Sequence, residues 1–364
     1  MKAFPVRSLL VTVALAMFVA AGLAQEATFP NVAAGKAVAA SRAPAENYPD
    51  PDGLKLTDGA YAFAWGDMVG FEGSAPITLT VDLGETYDYL SLVSLKVMRS
   101  DASAVNLPAS FIVSVSEDGV LYEDLGMATG FAEGEVPNDT IGTMVWADEE
   151  YPGYGRYVKI EVTPGGDAWT MIAELGVGNG PLPEGAGPAR PEGTPATAEP
   201  VNVALNAPYR LVPTPATAYP DDANTKVTDG SYAYSWADMI GFDAPAFNPT
   251  VIIDLGERVE DITRVAGLFM RSFASSVNFP NSLVVSVSDD GEAFHTVGLA
   301  TRTVPEPYMN ELINSLYWQD LEHPVAARYV KVEIRPRGAA WTMLAEVVVQ
   351  TGAAVPEVEE AQSQ

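Results

Sequence analysis

The stretch VMRSDASAVNLPASFIVSVSEDG, residues 97–119, returns as FMRSFASSVNFPNSLVVSVSDDG at 269–291, and its reading decides the fold. Phe111, Val113 and Val115 lie on one side of a period-2 pattern that stops at Glu117-Asp118-Gly119. An Asp-Gly pair after an alternating run predicts a strand entering a hairpin, because both residues tolerate positive φ. Working outward, ITLTVDL alternates Ile77, Leu79, Val81 and Leu83 with Thr78, Thr80 and Asp82. RYVKIEV and RYVKVEI place Val158, Ile160 and Val162, with their counterparts, on one face of a further strand. Long amphipathic helical patterns are absent. Short strands joined by Gly- and Pro-rich loops predict an all-β sandwich.

The repeat covers far more than the opening stretch. NVAAGK at Asn31 pairs with NVALNA at Asn202, and Tyr48-Pro49-Asp50 with Tyr219-Pro220-Asp221. KLTDGAYAFAWGDMVGF (55–71) pairs with KVTDGSYAYSWADMIGF (226–242), and TVDLGE (80–85) with IIDLGE (252–257). GRYVKIEVTPGGDAWTMIAEL (155–175) pairs with ARYVKVEIRPRGAAWTMLAEV (327–347). The offset is 171 at Asp58/Asp229 and 172 at Arg99/Arg271. A unit of that length is a whole domain rather than a solenoid repeat of roughly 20–50 residues. The expected domains are 29–178 and 200–350. Between them runs a Pro-, Gly- and Ala-rich linker at 179–199, expected to be semi-extended and without a core. An acidic tail at 351–364 is expected to be disordered.

The chain carries 48 Asp+Glu against 20 Lys+Arg, a net charge of −28. That balance argues against nucleic acid and anionic lipid as partners. With no cysteine, disulfides, thiol nucleophiles and thiolate metal sites are excluded. Residues 1–24 read as a secretory signal: Lys2 and Arg7, an apolar run, then small residues before Gln25. The mature protein is expected to be exported, with no membrane-inserted segment.

Laid out this way, each copy resembles the coagulation-factor V/VIII type C (discoidin) domain, a galactose-binding-like jelly roll similar to family-32 carbohydrate-binding modules. The residues carrying the resemblance are the opening Asn-Val-Ala, the Thr-Asp-Gly loop, the (V/I)DLG strand, the SVS(E/D)DG hairpin, the (G/A)RYVK strand and the closing Ala-Glu. It implies two tandem β-sandwiches whose loops at one end form the ligand face. It also implies a non-catalytic role, usually glycan binding, and a structural Ca²⁺ in each copy. Carried over residue by residue, the calcium site would use Lys55, Asp58, Ala60, Phe63, Ala173 and Glu174. The second copy would use Lys226, Asp229, Ser231, Tyr234, Ala345 and Glu346. Carboxylates and main-chain carbonyls suit a hard cation that takes six to eight oxygens. Ala60 and Ser231 stand where the family has Asn, and Phe63 and Tyr234 where it has Thr, so side-chain oxygens are missing there. The competing reading makes Asp58 a turn cap.

A sugar site needs an aromatic platform beside polar groups. The repeated candidates are Trp65, Asp67, Arg99, Asn106 and Trp169, with Trp236, Asp238, Arg271, Asn278 and Trp341. Two alternatives stand beside that role: Trp65 as a core plug, and Arg99 paired with Asp67 only to fix the loops. Trp169, beside Gly165-Gly166, is the ring expected to be exposed. Neither His295 nor His323 has a partner in the other copy, and no triad or phosphate loop is shared, so no enzyme is expected. The expected function is exported, non-catalytic binding of polysaccharide or cell-surface glycan by two modules. The alternative is an adhesion or scaffold protein that recognises a cell-surface or matrix protein.

Overall fold

The structure, a computed structural model, describes residues 30–353 apart from 184, 191–192, 194–195, 197–198, 233, 244–246 and 304–311. The expected leader, and the tail beyond 353, lie outside the described residues. Among the described residues no helix is long and apolar enough to cross a membrane.

The first half contributes β1 (Val38–Ala40), β2 (Val69–Glu72), β3 (Ile77–Arg99), β4 (Ser110–Ser116), β5 (Glu123–Ala128), β6 (Thr140–Ala147), β7 (Gly153–Thr163) and β8 (Trp169–Asn179). The second half contributes β9 (Val201–Asn202), β10 (Tyr209–Val212), β11 (Ile240–Phe242), β12 (Thr250–Arg271), β13 (Ser282–Ser288), β14 (His295–Ala300), β15 (Arg302–Thr303), β16 (Leu312–Gln319), β17 (Val325–Arg335) and β18 (Thr342–Thr351). Each half is antiparallel, in the orders β2-β8-β3-β7-β4-β5 and β11-β18-β12-β17-β13-β14.

One long strand makes each half a sandwich. The first arm of β3, Ile77 to Asp82, pairs with β7. Register shifts between Asp82 and Leu90 bend it, and the second arm, Leu92 to Arg99, pairs with β6 and β8. β12 does the same in the second half. Because side chains alternate faces, Ile77, Leu79 and Val81 from one arm meet Val93, Leu95 and Val97 from the other. Phe111, Val113, Val115, Val158, Ile160 and Val162 complete this buried cluster. Each fully buried side chain of this size contributes roughly 1.5–3 kcal/mol, which is why the period-2 pattern dictates the layers.

Loops gather at the two ends of the sandwich. At one end, the loop end, Val105 bridges both Ser100 and Trp169, Gly73 bonds Ala168, and Arg99 reaches the carbonyl of Val136. At the opposite end Tyr89 bonds the carbonyl of Glu149, and Gly119 packs on Tyr157.

The two sandwiches touch. Asp124, buried on β5, accepts hydrogen bonds from Ser114 (2.7 Å), from Ser282 of the second sandwich (2.6 Å) and from Arg335 Nε (2.7 Å). Arg335 also forms a bidentate pair with Glu161 on β7, at 2.8 and 3.0 Å. Asn281 bonds the Asp124 N–H and the Tyr122 carbonyl, both at 3.2 Å. Described residues of the expected semi-extended linker also bond to both sandwiches. Ala189 N–H bonds the Phe131 carbonyl, Arg190 pairs with Asp320 at 2.9 Å, and Ala196 N–H bonds the Leu321 carbonyl. Two main-chain bonds and one side-chain ion pair thus tie the segment to both halves.

Candidate functional site

The same alternation that fills the core turns Met98 on β3 and Met171 and Ala173 on β8 to the outer face of their layer. There they form a second, smaller buried cluster with Met68 and Val105. The loop before β2 folds over it. Tyr48, Trp65 and Trp169 are its half-buried cover, with the Tyr48 ring centroid 5.9 Å from Trp65 and 5.5 Å from Trp169, the latter edge-on at 86°. The second half repeats this with Met239, Met270 and Met343 under Tyr219, Trp236 and Trp341, at 5.8 and 5.6 Å. Gly70 lets the cover close, since a Cβ there would lie 2.8 Å from Met171 Sδ and 2.9 Å from Tyr48. Gly241 stands in the same relation to Met343 and Tyr219.

Two sequence readings are corrected by this arrangement. The indoles neither plug the main core nor stand free of it; they lean on a satellite core with part of each ring in solvent. Trp169, expected to be exposed, is half-buried like Trp65, with Tyr48 packed edge-on against it. Tyr48 and Tyr219 hold each trio together and were not singled out from sequence. Their signal was the repeated Tyr-Pro-Asp, whose Pro and Asp serve the neighbouring Thr-Asp-Gly segment and whose Tyr meets the distant Trp rings.

Beside the aromatics, Asn106 is half-buried and its N–H bonds the Trp169 carbonyl at 2.9 Å; Asn278 does the same with Trp341 at 3.1 Å. Ala104 and Ser276 hold these loops at φ +52° and +54°, a left-handed conformation costly for residues with a Cβ, and accept the N–H of Trp169 and Trp341. Arg99 does not pair with Asp67. Its guanidinium binds Asp101 at 3.1 Å and the Val136 carbonyl at 2.9 Å, because Asp101 is two residues along the same turn. Asp67 and Asp238 are exposed. Trp65, Trp169 and Asn106 therefore converge, as do Trp236, Trp341 and Asn278, while Arg99 is held by Asp101 and the Val136 carbonyl.

The copies differ at their rims. Where the first has Asp101 the second has Phe273, exposed and 5.2 Å from the buried Arg271 guanidinium, which also lies 4.8 Å from Phe279. Lys96, set 4.1 Å from the Tyr61 ring, corresponds to Leu268.

Next to each aromatic cover is the Thr-Asp-Gly loop. Asp58 Oδ1 accepts the Ala60 N–H at 2.7 Å, and Asp229 does the same for Ser231, so both cap their own turns. Gly59 (φ +80°) and Gly230 (φ +79°) turn their N–H groups to Glu174 and Glu346, at 3.2 and 3.1 Å. These glutamates are buried at a bulge where Ala173 and Ala345 break the register with the neighbouring long strand. Their second oxygens, Oε2 in each, are buried with no hydrogen-bond partner. Burial raises Glu174 to about 7 and Glu346 to about 8. Lys96 counters the effect in the first copy, and a leucine stands in its place in the second. Two orphaned carboxylate oxygens facing loops rich in carbonyls suit a hard cation. Among the described residues no three acidic or histidine side chains cluster to hold a metal, so such an ion would depend on main-chain oxygens. The Lys55 ammonium binds the Pro49 carbonyl at 2.7 Å, and that of Lys226 binds the carbonyls of Pro220 and Ala237, both at 2.8 Å.

Residues 214–347 match the family model for the F5/8 type C domain. The second half of the chain is thus an F5/8 type C (discoidin) domain, and the first half repeats its strand order. No curated protein matches the chain. Among solved structures, the chain is similar to a fucolectin from striped bass (Morone saxatilis) serum, at 16% identity and a TM-score of 0.31, over 89% of this chain and 99% of that one. It is also similar to the paired CBM32 domains of Clostridium perfringens ZmpB solved with GalNAc, at 9% identity and a TM-score of 0.31, over 87% and 90%. A Streptococcus pneumoniae fucose binding module matches at 16% identity and a TM-score of 0.30, over 42% of this chain and 99% of the module.

Proposed function

We propose that the protein is an exported, non-catalytic carbohydrate-binding protein that takes polysaccharide or cell-surface glycan at the loop end of each sandwich. The observation that carries this reading is the repeated cover of Tyr48, Trp65 and Trp169 with Asn106, and of Tyr219, Trp236 and Trp341 with Asn278. Half-buried rings on a methionine bed give a stiff apolar platform for sugar C–H faces, and the neighbouring amide reads hydroxyls. A structural Ca²⁺ in each copy belongs to the proposal. It would be held by Glu174 and Asp58 with the carbonyls of Lys55, Ala60 and Phe63, and by Glu346 and Asp229 with those of Lys226, Ser231 and Tyr234. The orphaned Oε2 atoms support it. Bound there, the ion would stiffen the Thr-Asp-Gly loop beside the platform.

A second reading, recognition of a cell-surface or matrix protein, is favoured by the exposed rings of Tyr61, Phe63, Tyr232 and Phe273. A glycan array probed with the chain in calcium and again after chelation separates the two. Binding to defined glycans that falls at least tenfold on chelation is expected. Absence of any glycan signal at high protein concentration in calcium would exclude the carbohydrate reading.

A further inference from the structure

The contacts between the sandwiches fix the direction in which each loop end points. β5 runs from the opposite end of the first sandwich toward its loop end, since its start, Glu123, pairs with the far end of β4 and Ala128 pairs with Phe111. β14 runs the same way in the second sandwich, with His295 opposite Val287 and Ala300 opposite Leu283. Across the junction these two strands meet head to tail. Leu125, near the start of β5, receives the hydroxyl of Thr301, just past the end of β14, at 3.5 Å. Further along, Met127 and Thr129 share a cavity of about 430 Å³ with Leu299 and Val297. With the 172-residue offset, Leu125 corresponds to Val297 and Thr129 to Thr301. Each sandwich thus offers the other the same patch, as in a two-fold dimer.

The remaining contacts agree. Arg335 and Arg337, at the loop end of the second sandwich, reach Asp124 and Glu123, at the opposite end of β5. The connecting segment passes between the two sandwiches, with Ala189 bonded to Phe131, which bridges mid-β6, and the adjacent Arg190 paired with Asp320, at the opposite end of the second. The charges also single out this pairing. Arg335 corresponds to Thr163 and Asp124 to Thr296, so Asp124 and Glu161 find their arginine only in the other sandwich.

We infer that the chain is a two-ended bridging protein: its loop ends face opposite ways, so it joins two separate glycan-bearing polymers or surfaces instead of gripping one at two points. This rests on the carbohydrate reading for what each end binds. The geometry itself follows from the junction alone. A flexible tether would let both ends settle on one polymer and gain affinity by effective concentration; a rigid antiparallel pair prevents that on a flat surface and favours a partner on each side.

The absence of native cysteines permits clean labelling. Spin-label distances measured on the full chain for Ala102→Cys with Ala274→Cys, both exposed at the loop ends, should exceed those for Val120→Cys with Ala274→Cys. The reverse order, or one broad distribution for both pairs, overturns the geometry. In parallel, mucin-coated latex beads are mixed with the full chain. Bound protein that clumps the beads, with clumping but not binding lost in Trp169→Ala, Asn106→Ala, supports bridging. Binding without clumping at every protein-to-bead ratio overturns bridging and leaves glycan binding standing. No binding to the beads overturns bridging together with its carbohydrate premise, and the label distances then still report the two-ended shape.

Discussion

Glu346 shows how one residue ties sequence to behaviour. It was identifiable from the closing Ala-Glu, but its burial at a bulge and the orphaned oxygen belong to the folded chain. Its folded-state value of about 8, like about 7 for Glu174, is raised above the ordinary 4.5. A raised acid contributes stability that is complete below about 4.5 and is lost as pH climbs through the folded value. A cation-free chain should therefore lose on the order of 3–5 kcal/mol per site between pH 4.5 and 8. Calcium, which favours the ionised carboxylate, should restore it. Glu346→Gln should flatten this slope for the second sandwich and cancel calcium's effect on its melting temperature. An unchanged slope in thermal melts from pH 5 to 8.5 would rule this out.

At the scale of elements, the aromatic cover depends on what lies beneath it. Met98 at the end of β3 and Met171 and Ala173 on β8 make an apolar patch on the outer face, and the loop carrying Tyr48 and Trp65 packs down onto it. Aromatic pairs contribute about 0.5–1.5 kcal/mol each beyond area burial. Tyr48→Leu removes two such pairs and should destabilise the first sandwich by about 1–3 kcal/mol in urea unfolding. It should also shift tryptophan emission to the red and weaken that sandwich's glycan affinity tenfold or more. An emission spectrum identical to the parent would mean that Trp65 and Trp169 do not rest on that ring. The strands were legible because half-buried sheets leave a period-2 record. The cover was not, since the Met, Trp and Tyr that build it lie up to 123 residues apart, from Tyr48 to Met171.

For the whole molecule, Arg335 decides whether two sandwiches act as one body. Burial by itself would raise Glu161, yet its two bonds from Arg335 outweigh burial and hold it at about 2. A depressed carboxylate contributes stability above its ordinary value near 4.5 that is lost as pH falls through the folded value, so the junction should weaken between pH 4.5 and 2. Arg335→Met leaves the buried Asp124 without its counter-charge and Glu161 with Lys159 alone, a loss of about 3–5 kcal/mol for a broken buried pair. Small-angle scattering should then show a larger, more variable particle while each sandwich keeps its far-ultraviolet circular dichroism. A variant as compact as the parent would assign the junction's strength to the linker's bonds instead.

By itself the sequence determined the duplication and the all-β class, and it offered Trp65, Trp169 and Asn106 with their counterparts as loop-end candidates. Those follow from local alternation, turn chemistry and repetition, all written in neighbouring residues. Tertiary structure alone decided that the tryptophans cover a second small core, that Arg99 turns to Asp101, that linker residues bond to both sandwiches, and that the two loop ends face apart. The reason is physical. A strand's period says which side chains share a face, but not what covers its outer surface. Nor does it say which distant charge, here Arg335 for Asp124, will make burial of a carboxylate affordable.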